Sequence, residues 1–178
     1  MRRVSSRFES IEEKTTYDAG FFTVSRARFR HEDGEEVTRE IVRHTGAVGV
    51  VCHDGESLWL VRQPREAVGE PDLLEIPAGK LDVDGEEPLE AAKRELAEEI
   101  GKAASEWEHL HTFFTSPGFT DEVCHVYLAT GLSDASAEAD EHERIDIEVR
   151  PLAELDAIID EAQDSKTLIG LLELRRRL

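Results

Sequence analysis

In the stretch "RELAEEIG" (94–101), Glu95, Glu98 and Glu99 stand adjacent or three to four residues apart. On a helix such positions share a face, and each like-charged pair there costs roughly 0.2–0.5 kcal/mol. An arrangement of this kind is either a solvated acidic surface or a seat for a cation. Hard divalent ions such as Mg2+ take oxygen ligands and are commonly held by a few carboxylates together with substrate phosphate. Rigid i, i+3, i+4 spacing suits that chemistry. At 100° per residue the three glutamates span an arc of about 100°, beside an apolar stripe of Leu89, Ala92, Leu96 and Ile100. One face grips a core while its neighbour presents acid at the core's edge.

The element carrying this face reads as a helix over 87–100, with Pro88 in its first turn and Gly101 at its end. Before it, "FFTVSRARFR" and "EVTREIVRH" partly alternate apolar and polar residues across the turn "HEDGEE", giving a β-rich segment over 15–45. "GAVGVVCH" and "SLWLVRQ" read as adjacent strands, and "LLEIP" as a short strand after a loop at 64–72. Three further strands are expected in "WEHLHTFFT", "EVCHVYLAT" and "RIDIEVRP", with the acidic loop "LSDASAEADEHE" before the last. "LAELDAIIDEAQ" and "SKTLIGLLELRRRL" read as helices. Strands interleaved with few helices predict a mixed sheet flanked by helices.

The chain has 178 residues, 39% of them hydrophobic, enough for one domain with a real core or one domain with a small appendage. Forty acidic residues against 21 basic give a formal net charge of −19, which repels nucleic-acid phosphates and argues against a nucleic-acid partner. Abundant Asp and Glu with only five Lys resembles proteins of salt-loving organisms, where screening tames self-repulsion. With acid as the background, only its placement is informative. No apolar run is long enough for a membrane span, and the N-terminal residues show no signal-peptide pattern, so the expectation is a soluble, cytoplasmic protein without a membrane partner. Cys52 and Cys124 lie in apolar runs without C-x-x-C spacing and read as reduced core residues. Trp59 and Trp107 read as packing residues, and Lys166 and Thr167 as anchors of the last helix.

The stretch Gly79–Gly101, "GKLDVDGEEPLEAAKRELAEEIG", resembles the Nudix box, G-x5-E-x7-R-E-U-x-E-E-x-G-U with U apolar. Glu86, Arg94, Glu95, Leu96, Glu98, Glu99 and Gly101 match in register. Six residues rather than five separate Gly79 from Glu86, and Lys102 stands where an apolar residue usually closes the box. The flanks "RHTGAV", "VRQPRE", "LLEIPAGKLD", "SPGFTDE" and "DSKTLIGL" are similar to the ADP-ribose pyrophosphatase branch of the Nudix hydrolases.

That resemblance implies an α/β/α sandwich with a mixed β-sheet, comprising a hydrolase domain over 46–178 and an N-terminal antiparallel β segment over 1–45 that serves dimerisation. It implies hydrolysis of ADP-ribose to AMP and ribose 5-phosphate with two or three Mg2+ or Mn2+ ions, in a homodimer. Glu95 and Glu99 are then the main metal ligands, Glu98 ligates or orients from close by, and the Ala78 carbonyl completes the set. Glu86 and Arg94 pair to fix the loop onto the helix, while Gly79 and Gly101 serve the motif's backbone. Arg65 matches a substrate-contacting arginine, with a plain surface role as the alternative. Phe119 either stacks on a base or plugs a loop, and Glu122 either bonds substrate or is a solvated acid. Glu143 is the expected general base, with Glu141 as runner-up. Related readings are a Nudix hydrolase of a sugar nucleotide or dinucleotide, and a non-catalytic nucleotide sensor on the same fold.

Overall fold

The computed structural model describes residues 7–136 and 144–178. Glu141 and Glu143, the expected base and its alternative, lie outside the described residues. Two compact units are present: residues up to Thr45 together with Phe114–Val123, and Gly46–Phe113 together with Cys124–Leu178. The segment Phe114–Val123, placed by sequence in the hydrolase domain, groups with the N-terminal strands.

The first unit is built on an antiparallel sheet, β1 (Phe8–Asp18), β2 (Phe22–His31) and β3 (Glu36–His44), in that order. β1 was not legible in the sequence. Nearly all its side chains are exposed, so it carries no apolar alternation. It is held instead by the backbone ladder and by ion pairs to the central strand: Arg28 pairs with Glu12, and Arg30 with Glu9 and, on β3, Glu36. Beneath the end of β3, Val42 N–H donates to Phe119 O at 2.8 Å and Asp121 N–H donates to Val42 O at 3.3 Å. Arg43 locks the same loop, gripping Glu13 at 2.8 and 2.7 Å and Asp121 at 3.0 Å.

The second unit contains β4 (Ala47–His53), β5 (Ser57–Arg65), β6 (Glu70–Glu75), β7 (Ala78–Lys80), α1 (Pro88–Ile100), β8 (Lys102–Phe114), β9 (Val123–Asp134), β10 (Asp146–Pro151), α2 (Leu155–Glu161) and α3 (Ser165–Arg175). Its seven-stranded sheet runs β10-β5-β4-β9-β8, with β6 on β5 and β7 on β4. β4 runs parallel to β9 but antiparallel to β5 and β7, so the sheet is mixed, as expected. Alternation along β4 divides the core. Val48, Val50 and Cys52 pack with Ala91, Ala92, Leu96 and Ile100 of α1, whereas Val51 packs with Leu155 and Ile158 of α2 and Leu171 and Leu174 of α3. Helices on both faces make the α/β/α sandwich.

Element edges differ from the expectations where apolar pattern is lacking. β6 begins at Glu70, inside the expected loop, as the return arm of a hairpin with β5. β8 starts at Lys102, directly after α1, through the small polar run "KAASE". β9 extends to Asp134, so the acidic loop begins later than its composition suggests. Both cysteines are free and buried. Trp59 packs on the α1-side core with the Lys102 ammonium 5.7 Å from its ring centroid, and Trp107 lies edge-on to Tyr127. On the outer side, Arg62 pairs with Glu148 and Glu161, and Arg150 with Glu148, Glu154 and Glu161, a charge network that adds to the apolar cluster shared by Leu58 and Leu60 of β5 with Leu155 and Ile158 of α2.

Candidate active site

Helix α1 forms as its sequence dictates. Pro88 occupies the first turn, and Gly101 closes the helix in the left-handed region at φ 64°, its N–H donating to Ala97 O at 3.0 Å. The apolar stripe buries Ala92, Leu96 and Ile100, and burial extends round the helix to Glu95, whose residue is 8% exposed. Glu98 and Glu99 are half-buried.

The acids are not left to repel one another. Arg94 Nη1 donates to Glu95 Oε1 at 2.7 Å and to Glu98 Oε2 at 2.9 Å. Its other nitrogens hold Glu86, Nε to Oε1 at 3.2 Å and Nη2 to Oε2 at 3.1 Å. The expected Glu86–Arg94 pair is therefore present, but the same guanidinium also reaches into the acid cluster. Its hydrogen bond to Glu86 and its acidic neighbours hold Arg94 protonated well above its ordinary range. Glu99 turns the other way and accepts from Ala78 N–H at 2.9 Å, tying α1 to β7.

Gly79 shows why the motif starts with glycine. A Cβ built there would lie 1.9 Å from the Glu95 carboxyl carbon and 2.0 Å from Oε1. The Glu95 carboxylate thus occupies the space a side chain on β7 would take, within a cradle only glycine leaves open. Among the described residues no three His, Cys, Asp or Glu side chains already converge at metal-holding distance. The donor chemistry nevertheless fits a hard cation: carboxylates on neighbouring turns of one helix, with the backbone of Ala78–Gly79 packed against them. An ion here would compete with Arg94 for Glu95 and Glu98.

Arg65, at the end of β5, donates to Glu75 through Nε at 2.6 Å and Nη2 at 2.8 Å. Glu75 ends β6 with its side chain 1% exposed, and it also accepts from Lys166. Burial pushes the Glu75 carboxyl up, but the hydrogen bond from Arg65 and the Lys166 ammonium outweigh it and hold the group below its ordinary value. Glu75 was not singled out from sequence. Its signal was an acid inside the apolar run "LLEIP", which in a strand places a charge where only a partnered one survives. Lys166 and Thr167 do anchor α3: Asp164 caps the helix by accepting from Thr167 N–H at 2.9 Å, and Thr167 Oγ1 accepts from Ile76 N–H at 2.9 Å.

Phe119 and Glu122 belong to the other unit. Phe119 is 55% exposed on the loop clamped to β3. Glu122 accepts from Thr115 Oγ1 at 2.6 Å and lies 3.5 Å from His44 Nδ1, so it is a structured acid rather than a solvated one. Among the described residues no helix is long and apolar enough to cross a membrane.

The fold and the α1 face define an α/β/α sandwich with a helix of clustered carboxylates beside a glycine-opened strand. The NUDIX domain model matches residues 43–171, and the chain belongs to the Nudix family. Its members generally need a divalent metal such as Mg2+. The chain is 43% identical over 150 residues to "ADP-ribose pyrophosphatase" of Mycobacterium tuberculosis, covering 83% of this chain and 72% of that protein. It is 40% identical over 171 residues to "Methanol dehydrogenase activator" of Bacillus methanolicus, covering 90% and 91%. Among solved structures, an "ADP compounds hydrolase" superposes with a TM-score of 0.86 at 26% identity, over 97% of this chain and 94% of that one.

Proposed function

We propose that this protein hydrolyses the pyrophosphate bond of ADP-ribose, releasing AMP and ribose 5-phosphate, with Mg2+ or Mn2+ at α1. The observation that carries this reading is the Glu95 carboxylate seated against Gly79, one turn from Glu99 on Ala78 N–H. The relatives named for ADP-ribose and ADP compounds support the substrate.

Glu95, Glu98, Glu99 and the Ala78 carbonyl would hold two or three divalent ions. When bound, these supply positive charge against the diphosphate and acidify a water. That compensation matters in a chain of net charge −19, which otherwise repels its substrate. Glu86 fixes Arg94, and Arg94 holds the helix's acids in register. Arg65 contacts the diphosphate. Water oxygen bonds to one phosphorus as the bond from that phosphorus to the bridging oxygen breaks. Glu143, or failing it Glu141, accepts the water's proton.

A homodimer formed through the N-terminal segment is part of the proposal. The β1–β3 sheet exposes Phe8 and Tyr17, 61% and 59% accessible, and such apolar surface on a thin sheet suits a second copy. Two free thiols accord with a cytoplasmic setting, and the arginine–glutamate pairing across β1–β3 with a salt-rich one.

A relative named "GDP-mannose pyrophosphatase", from Cronobacter sakazakii and 32% identical over 161 residues, is a reason to keep a second substrate reading, hydrolysis of a sugar nucleotide or dinucleotide. Product analysis across ADP-ribose, GDP-mannose and NADH, with and without Mg2+, separates the two. ADP-ribose turned over with the highest kcat/KM supports the proposal, and preference for another diphosphate replaces it. Binding without Mg2+-dependent turnover of any of them identifies a sensor, against which the intact Arg94, Glu95, Glu98 and Glu99 set argues.

A further inference from the structure

The Arg65–Glu75 pair sets a part-exposed guanidinium on a buried carboxylate, whereas the similarly bidentate pairs of Arg43 with Glu13 and Arg175 with Asp156 use exposed carboxylates. A guanidinium carries five N–H groups in a fixed plane, with one edge formed by Nε and Nη2 and another by Nη1 and Nη2. Glu75 takes the first edge with both oxygens, at 2.6 and 2.8 Å. Among the described residues Nη1 has no protein partner, and the Arg65 side chain is 41% exposed while that of Glu75 is 1% exposed. The carboxylate is therefore an interior fixture and the guanidinium its outward extension. Lys166 supports Glu75 from behind, and Asp164 holds Lys166 at 3.0 Å at the start of α3. Asp164 is itself fixed by Thr167 N–H and Oγ1–H, at 2.9 and 2.7 Å. The chain of contacts runs from the α3 cap through Lys166 and Glu75 to one edge of Arg65.

We propose that Glu75 is a positioning residue: it fixes Arg65 so that the Nη1–Nη2 edge is presented to a substrate diphosphate, with Lys166 balancing its charge from the interior. This inference rests on the reading that Arg65 contacts the diphosphate, and it names the residue through which that contact is set. The arrangement has a physical purpose. A flexible arginine gives up rotamer freedom when it binds, whereas one held by a buried carboxylate has already lost it. The same carboxylate draws some charge from the cation, and the planar fork retains a second bidentate site for an anion. Arg65 also lies within electrostatic reach of Glu99, so the held cation belongs to the same neighbourhood as the α1 acids.

The test is a double-mutant cycle on ADP-ribose hydrolysis with E75Q, R65K and the double variant. Glutamine keeps the shape of the side chain but offers one acceptor and no charge. E75Q is expected to raise KM about tenfold with kcat within about threefold. In the R65K background the same change is expected to add less than about twofold, because Glu75 acts only through Arg65. An unchanged KM in folded E75Q, or independent multiplication of the two effects, overturns the inference and leaves the hydrolase reading standing. If the wild-type protein neither hydrolyses nor binds ADP-ribose, GDP-mannose or NADH, the hydrolase reading falls and this inference falls with it. Since E75Q strands Lys166 and Arg65 near each other and the variant could fail to fold, a second measurement uses the wild-type chain. In 15N-arginine spectra of the substrate-free protein, assigned with R65K, the Arg65 Nε–H signal is expected to persist at neutral pH. Rapid exchange like that of a solvent arginine overturns the inference.

Discussion

Replacing Gly79 by alanine is the sharpest perturbation of the metal face that leaves its acids chemically intact. The added Cβ would lie 1.9 Å from the Glu95 carboxyl carbon, whereas ordinary contact starts at 3.4 Å, so one group must move by the difference, about 1.5 Å. β7 is fixed by pairing with β4, Gly79 opposite Val48, so the side chain is what moves. Turning Glu95 off its rotamer costs on the order of 0.5–1.5 kcal/mol. Gly79 does not have positive φ, so alanine adds no backbone strain, and Tm is expected to fall by no more than about 6 °C. Function is far less tolerant. Metal–ligand distances hold to about 0.2 Å, and a misplacement near 1 Å in a catalytic array costs on the order of 100-fold. G79A is therefore expected to keep its fold and lose about 100-fold in kcat/KM for ADP-ribose, with a raised Mg2+ requirement. The assay is AMP release against Mg2+ concentration, paired with thermal denaturation of the same samples. A folded G79A with wild-type turnover and wild-type Mg2+ dependence would refute the assignment of Glu95 as a ligand.

Removing the cation inside the acid cluster, as R94M, leaves Glu86, Glu95 and Glu98 facing one another. It is expected to cost roughly 1.5–3 kcal/mol, and Mg2+ should raise Tm by more in R94M than in wild type, as differential scanning fluorimetry would show. E143Q is expected to lower kcat sharply with little change in KM, and near-normal kcat would dismiss Glu143 as the base. Acid lability follows from Glu75 and Asp164, both held below their ordinary values of 4.5 and 3.8, against burial, by Lys166 and, for Glu75, Arg65. Because the folded state binds these protons less readily than the unfolded one, their stabilisation is whole above the ordinary values and is lost as pH falls through the folded ones. Urea denaturation should give a stability flat with respect to these groups above about pH 5 and falling below it, and a stability that rises on acidification to pH 3 contradicts the assignment.

What could be read from the sequence divides along a physical line. α1 and its acid face were legible because helical spacing, Pro88 and Gly101 are local signals, the strands β2 and β3 because they partly alternate, and β4 and β5 because apolar runs flank the turn "HDGE". β1 was not, since it is held by its backbone ladder to β2 and by cross-strand partners such as Arg28 and Arg30, none of which a local pattern reveals. The Glu86–Arg94 pair followed from motif resemblance, but the reach of Arg94 to Glu95 and Glu98 depends on rotamers set by the fold. Glu75 shows the same limit: its chemistry is visible only once β5, β6 and α3 bring Arg65 and Lys166 to it from residues 10 and 91 positions away. The grouping of residues 114–123 with the N-terminal strands rests on contacts between Val42 and the Phe119–Asp121 loop, again non-local.

The most direct test of the carboxylate helix is Mn2+ binding followed by electron paramagnetic resonance of the free ion. It is run near 1 M salt, where screening over roughly 3 Å suppresses loose association with an acidic surface. Wild-type protein should bind Mn2+ tightly in the presence of a non-hydrolysable ADP-ribose analogue, and the E95Q/E99Q variant, shown folded by circular dichroism, should lose that binding. Equal Mn2+ binding by the two proteins would contradict the account.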